Sequence, residues 1–176
     1  MRYARAASLG LPLMAALVIS GCATKQPGGR ASRASAVRAG GISPAEFMAA
    51  AASSALLMIR ASDLVAARER NSELAQTALR LKEEQTGIGA QLSYAGRRVD
   101  LLPSATLLPR HQRILNEIAA SNNPGETYVR HMQALIPQTV ALYRQYELTG
   151  TSPSLRPVAG MAAPILEREL NEVRKH

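Results

Sequence analysis

Residues 43–69 read SPAEFMAAAASSALLMIRASDLVAARE, and this stretch decides the fold. It begins with Ser43, Pro44 and Glu46, which are the residue types of a helix N-terminus: a hydroxyl cap, a proline in the first turn and a glutamate that completes a capping box. Small and apolar residues then recur at alternating steps of four and three, as on one face of a helix in a bundle. The stretch predicts a long helix with one buried face, made of Phe47, Ala51, Ser54, Met58, Ala61 and Val65.

The same spacing occurs twice more along the chain. A second helix is predicted to begin at Asn71 or Ser72, and its buried face comprises Leu74, Ala78, Leu81, Gln85, Ile88 and Leu92. A helix over residues 124–147 follows an asparagine cap at Asn123, with a buried face made of Tyr128, Met132, Leu135, Thr139, Leu142 and Tyr146. Gly87 and Gly89 weaken the second helix, and they would allow close approach of a neighbouring helix.

Two further helices complete the domain. A short helix is predicted over residues 109–121, after a proline-containing connection over residues 96–109. Ser152 and Pro153 predict the start of a last helix that runs to about Arg174. No β pattern competes, so the fold class is all-α: an up-and-down four-helix bundle over residues 43–176, with a short extra helix in the crossover.

The N-terminus has the features of a bacterial export signal. Arg2 and Arg5 precede an apolar run over residues 9–19, and Ile19-Ser20-Gly21-Cys22 resembles the lipobox of bacterial lipoproteins. Cleavage between Gly21 and Cys22 would remove residues 1–21 and leave Cys22 as an acylated N-terminus, the site of lipidation. The alternative is a free thiol in a transmembrane anchor, but the apolar run has about half of the roughly 20 residues that span a bilayer.

Residues 22–42 would then be a lipidated N-terminus followed by a flexible, basic tether, since they are rich in Gly, Ala, Ser and Arg. Six of the 21 basic residues precede residue 41, which leaves 15 basic against 13 acidic residues in the remainder. The domain is therefore nearly neutral, and the excess charge suits anionic head groups better than nucleic acid. Ala23 replaces the aspartate that commonly retains such proteins in the inner membrane, which favours the periplasmic face of the outer membrane.

Few residues point to catalysis. The histidines are His111 in or near a loop, His131 at the border of an apolar face and His176 at the end, and no Glu-x-x-His pair is present. No phosphate-binding loop or local nucleophile motif occurs either. Glu169 follows Ile165 by four and could point inward, which makes it a candidate polar residue of the bundle core together with Gln85 and Thr139. The favoured expectation is a partly exposed boundary position beside Arg168 or Arg130. We therefore assign no catalytic residue, metal ligand or cofactor.

The stretches FMAAAASSALLMIRASDLVAAR, ELAQTALRLKEEQTGIGAQL and TYVRHMQALIPQTVALYRQYELTGTSPSLRPVAGMAAPILERELNEV together resemble the bacterial family called domain of unknown function 4142. The resemblance implies an exported protein with a ferritin-like helical bundle. It also implies that relatives carry polar, potentially ligating residues at four positions. In this chain, those positions are occupied by Met58, Gln85, Ile136 and Glu169. All four depart from the family pattern, so we expect no metal in this bundle. Gln85 is expected to bond either Thr139 or Glu169 instead.

Three functions remain open at this point. The first is a lipid-anchored, non-catalytic module of the bacterial envelope that has a structural or protein-binding role, with an envelope protein as its partner. The second is a ferritin-like metal-binding or redox-linked periplasmic protein, which the family resemblance alone suggests. The third is a hydrolase whose site is assembled from distant residues.

Overall fold

The computed structural model describes residues 41–69 and 72–176, and this part of the chain is all-α. It contains five helices: α1 (Pro44–Arg68), α2 (Glu73–Arg97), α3 (Pro109–Ala120), α4 (Pro124–Thr149) and α5 (Arg156–Val173). No strand occurs within these ranges. The predicted fold class, four long helices and a short one in the crossover, is confirmed.

Side chains fix the starts of three helices as the sequence predicts. The Ser43 hydroxyl accepts a hydrogen bond from the backbone N–H of Glu46, while Glu46 accepts one from the backbone N–H of Ser43, which completes the capping box of α1. Ser72 caps α2 by accepting from the N–H of Ala75. Asn123 caps α4 through the N–H of Glu126. Each cap satisfies an N–H that would otherwise lack a partner in the first turn.

Two helical hairpins form the bundle. Helix α1 packs mainly on α2, and α4 packs mainly on α5. The hairpins meet where α1 contacts α4 and where α2 contacts α5, and α3 packs against both α1 and α4. The predicted faces supply the core between them, which includes the fully buried Phe47, Met58, Leu81, Ile88, Tyr128, Met132 and Leu166.

Helix α1 is long and apolar enough to cross a membrane by length and composition, the one such helix in the described part of the chain. Its apolar residues have a different use here. Phe47, Leu57, Met58 and Val65 are fully buried in the bundle, and Phe47 stacks on Tyr146 with 3.9 Å between ring centroids. The high hydropathy of α1 is therefore that of a core helix.

Two details of the prediction are wrong. Helix α5 begins at Arg156 and not at Ser152-Pro153. Pro157 has no N–H to donate to the carbonyl four residues earlier, so the helical hydrogen bonds do not extend back to Pro153. The Ser152 carbonyl instead accepts from the N–H groups of Leu155 and Arg156 and closes a turn. Gly87 and Gly89 do not bring a helix close. A Cβ atom added to either would meet no atom within 4 Å.

Candidate functional site

A buried carboxyl–amide pair joins α2 to α5. The Gln85 side-chain nitrogen donates to both carboxyl oxygens of Glu169, at 3.0 Å to Oε1 and 2.8 Å to Oε2. Gln85 is 1% exposed and Glu169 is 2% exposed. Because Gln85 occupies the buried face of α2, its amide can reach only groups inside the bundle, and Glu169 supplies the acceptor there.

Glu169 therefore has the inward position that its spacing from Ile165 allowed, and the favoured expectation of a partly exposed boundary position is wrong. Arg168, one of its two expected partners, forms an ion pair with Glu84 instead, at 2.6 Å between Nη2 and Oε1. The helical period explains the error, because Glu169 follows Ile165 by four and Leu166 by three, and both neighbours face the bundle. Of the two partners expected for Gln85, the structure shows Glu169.

Thr139 does not take part in this pair. It is buried, but its hydroxyl donates to the carbonyl of Leu135 one turn earlier in α4, at 3.1 Å. A threonine can satisfy its own hydroxyl in this way inside a helix, so burial alone does not make it a partner for another helix. Of the three candidate core polar residues, the structure therefore brings Gln85 and Glu169 together and leaves Thr139 apart.

Burial raises the pKa of the Glu169 carboxyl to about 8. The bond from Gln85 and the charge of Arg168 oppose this shift, whereas the nearby charge of Glu84 and a hydrogen bond with its side chain add to it. Glu169 is therefore mainly protonated at neutral pH. Its neutral form is the one that a low-dielectric interior tolerates best.

Two tyrosines of α4 extend this polar region toward α1. Burial raises the pKa of the Tyr128 and Tyr143 phenols, and the proximity of Glu169 adds to both shifts. The Tyr128 hydroxyl also lies 2.9 Å from the hydroxyl of Ser62 on α1. Side chains on all four long helices thus contribute to one polar region inside the bundle.

Glu169 also lines a cavity of about 330 Å³. The cavity lies between α2 and α5, and its lining residues are Thr77, Arg80, Leu81, Glu84, Arg168, Glu169 and Glu172. Charges of both signs surround it, and they are largely paired with each other. Arg168 pairs with Glu84, and Glu172 lies within reach of Lys175 and Arg80.

The four positions that the family resemblance marks as potential ligands do not suit a metal ion. Met58 and Ile136 are fully buried apolar residues that carry no oxygen or nitrogen ligand, and Gln85 uses its side-chain nitrogen to bond Glu169. Hard cations need several oxygen ligands, and transition metals favour imidazole or thiolate. Among residues 41–69 and 72–176, no group of three or more His, Cys, Asp or Glu side chains is placed to hold a metal.

The structure shows a buried histidine that the sequence did not reveal. His111, expected in or near a loop, is the third residue of α3 and is fully buried, with its Nδ1 atom 2.7 Å from the Ser53 hydroxyl of α1. Arg110 donates to the other ring nitrogen, Nε2, at 3.1 Å, so Nε2 is an acceptor and Nδ1 carries the proton. Burial, followed by the charge of Arg110, lowers the pKa of His111.

This histidine attaches the crossover to α1. Ser53 also accepts from the backbone N–H of Leu108, which lies just before α3. His131 has the boundary position that the sequence predicted, with its Nε2 atom 2.9 Å from a carboxylate oxygen of Glu117 on α3. The position of His111 relative to α1 depends on the path of the 96–109 connection, which carries no periodic signal.

The predicted cleavage and lipidation residues, Gly21 and Cys22, lie outside the described residues. Their assignment depends on the sequence alone.

The fold and the site define a class: an all-α helical-bundle domain whose buried polar side chains bond one helix to another. The particular family follows from sequence comparison. A family model described as Domain of unknown function (DUF4142) matches residues 29–175, and the chain belongs to this family. Neither the curated proteins nor the solved structures contain a match to the chain.

Proposed function

We propose that this protein is a lipid-anchored protein of the bacterial envelope whose helical bundle is a non-catalytic, protein-binding module. The proposal places the bundle in the periplasm, on a tether over residues 22–42 that ends at the acylated Cys22 in the outer membrane. Two or three acyl chains, at about 0.8 kcal/mol per buried CH₂ group, would hold such a protein stably in a bilayer.

One observation favours a binding module over an enzyme or a metal carrier. Three pairs of buried polar side chains in the described core join helices: Gln85 bonds Glu169, Ser62 bonds Tyr128, and His111 bonds Ser53. Gln85 and Glu169 satisfy each other inside the bundle. At His111, Nε2 accepts from Arg110, so Nδ1 carries the proton and cannot take one from the Ser53 hydroxyl that it faces. The alternative of a ferritin-like metal or redox protein would need oxygen or imidazole ligands, which Met58 and Ile136 do not carry.

A membrane pull-down tests the protein-binding role of the bundle. The full-length protein with its anchor is solubilised from native membranes in mild detergent and purified by affinity. The matched control is residues 1–42 fused to an unrelated soluble domain, which shares the signal and tether but lacks the bundle. We expect a protein that copurifies with the native chain and not with the control. Equal recovery from both would overturn the role of the bundle.

Replacing Cys22 tests the anchor separately. The Cys22→Ser variant lacks the acylation site. We therefore expect the processed chain of this variant to be absent from the membrane fraction that detergent extracts. Retention of an identically processed chain in that fraction would exclude Cys22 as the anchor. A variant at Ser20, such as Ser20→Ala, keeps the small residue that cleavage requires and is the control.

A further inference from the structure

We propose that one end of the bundle rests on the phospholipid surface of the membrane that holds the Cys22 anchor. This tether end is the end at which residue 41 joins the domain. It comprises the first turns of α1, the last turns of α2 with residues 98–102, the last turn of α4 and the start of α5. The inference depends on the proposed function, because it needs the lipid anchor, and it names the lipid surface that the bundle contacts.

Contacts between helices bring these segments together. A Cβ atom on Gly41 would lie 2.8 Å from the Thr149 hydroxyl, so the chain enters beside the last residue of α4. A Cβ atom on Gly96 would lie 2.8 Å from the side chain of Met48, so the end of α2 lies beside the start of α1. Arg156, the first residue of α5, donates to a carbonyl in the last turn of α4 at 2.8 Å. All four long helices therefore have one of their ends here.

The most exposed large apolar side chains of the described residues lie at the tether end. Leu148 in the last turn of α4 is 76% exposed, Leu102 after α2 is 66% exposed and Tyr94 near the end of α2 is 58% exposed. In the opposite half of the bundle, the most exposed of the described side chains of this kind is Leu79, at 45%. Apolar side chains in such positions can enter the boundary between head groups and acyl chains.

Exposed arginines lie beside these apolar side chains. Arg98 lies over the Tyr94 ring, 4.9 Å from its centroid, and donates to the Tyr94 hydroxyl at 2.8 Å. Arg97 and Arg156 are exposed as well, and none of the three arginines forms an ion pair with a described residue. A guanidinium group binds phosphate oxygens well, and every phospholipid head group carries a phosphate. The combination of arginine, tyrosine and leucine therefore suits a lipid interface.

The carboxylates of the tether end oppose this contact only weakly. The Glu46 carboxylate accepts from the backbone N–H and the hydroxyl of Ser43. Glu147 pairs with Arg144 at 3.2 Å. Among the described residues at this end, Asp100 is the remaining exposed carboxylate. One such carboxylate against three unpaired arginines leaves an excess of positive charge that attracts phosphate.

The position of the tether favours lipid over a soluble partner as the occupant. The sequence predicts a flexible segment over residues 23–40, and a flexible segment of this length has an r.m.s. span of about 25 Å. Helix α1, with its 25 residues, is about 38 Å long, so the tether end stays closer to the anchor than the opposite end does. The tether therefore raises the effective concentration of lipid at this end. It also carries four basic and no acidic residues, which are attracted to the same head groups.

A fluorophore at single cysteines tests the contact. Leu102, Leu148 and, as the matched control, Leu79 are replaced by cysteine, one at a time, in the full-length acylated protein. Each cysteine is labelled with nitrobenzoxadiazole, whose emission shifts to the blue in apolar surroundings. All three leucines are exposed, so the bundle should tolerate the labels, and position 79 lies about 22 Å along α2 from Tyr94. The proteins are reconstituted into vesicles of phosphatidylcholine and phosphatidylglycerol, with or without a spin-labelled lipid that quenches nearby fluorophores.

We expect the labels at positions 102 and 148 to emit further to the blue than the label at position 79. The spin-labelled lipid should quench them and leave the label at position 79 unquenched. A charge at the contact should weaken it, so Leu148→Asp should reduce the quenching at position 102, whereas Leu79→Asp should not.

Three results would overturn the inference. The first is equal quenching at positions 79, 102 and 148. The second is a blue shift at positions 102 and 148 without quenching, which would show contact with protein, such as a second copy of this chain. The third is quenching at position 102 that Leu148→Asp leaves unchanged.

The wild-type chain separates these results from a failure of the anchor. Cys22 is the one cysteine in the chain, and acylation of its sulfur would leave no thiol to react with the fluorophore. A wild-type protein that takes up the label refutes the lipid anchor, and the inference fails with it. If the wild type stays unlabelled and the labels at positions 102 and 148 remain in water, the inference alone fails and the anchor stands.

Discussion

Replacing Glu169 by glutamine should change how the stability of the bundle depends on pH. In the unfolded chain the Glu169 carboxyl has the ordinary glutamate pKa of about 4.5, whereas burial raises its pKa to about 8 in the folded protein. Between these values unfolding releases a proton, so the free energy of unfolding falls as pH rises, by about 1.4 kcal/mol per pH unit. The lost stability would reach at most about 5 kcal/mol by pH 8.

The range from pH 6.5 to 8 isolates this effect. The lowered pKa of His111 acts in the opposite direction, because it costs stability only as pH falls below about 6.5, where the unfolded histidine gains a proton. Over pH 6.5–8 the wild-type protein should therefore lose about 2 kcal/mol through Glu169. The Glu169→Gln variant, which carries a neutral side chain of similar shape, should lose none of this and should equal or exceed the wild type at pH 8.

Urea denaturation followed by circular dichroism at several pH values measures the effect, since the chain contains no tryptophan for fluorescence. Glu167→Gln is the matched control: it makes the same replacement on α5, but Glu167 is exposed and pairs with Arg144 on the surface. The reasoning is refuted if Glu169→Gln keeps the wild-type slope between pH 6.5 and 8, or if the wild type becomes more stable over that range.

Three further substitutions test the packing by the same assay. Gln85→Leu should lower the free energy of unfolding by about 1–3 kcal/mol at pH 8, because it leaves the Glu169 carboxylate without its donor, and by less at pH 5. A gain in stability at both pH values would contradict this. Gly96→Ala should destabilise strongly, because the new Cβ would lie 1.9 Å from the Leu101 carbonyl oxygen, and wild-type stability would rule that clash out. Gly87→Ala should instead raise the free energy of unfolding by up to about 1 kcal/mol, since that position is open, and a loss would show that the glycine is needed there.

The helix pattern could be predicted because it depends on local chemistry. Ser43 and Asn123 cap their helices through residues three positions later, so the signal lies within one turn of sequence. The buried faces follow from the helical period, which is why Met58 and Tyr128 are both in the core. Where two local signals compete, as at Ser152 and Pro157, the prediction placed the start of α5 too early.

The polar contacts depend on which helices are neighbours, and only part of that information is local. The pairing of Gln85 with Glu169 could be expected as one of two alternatives, because both residues fall on or beside buried faces. The burial of Glu169 was one of two positions that the helical period allowed, whereas the burial of His111 could not be expected, since it depends on contact with another helix. The contact of His111 with Ser53 spans 58 positions of sequence and has no periodic signal.

Native mass spectrometry of the protein released from envelope membranes in mild detergent tests the central claim most directly. The account predicts a chain that begins at Cys22, carries two or three acyl chains, and has no bound metal. A chain that still includes residues 1–21, a Cys22 without acyl groups, or a near-stoichiometric iron, zinc or manganese ion would contradict it.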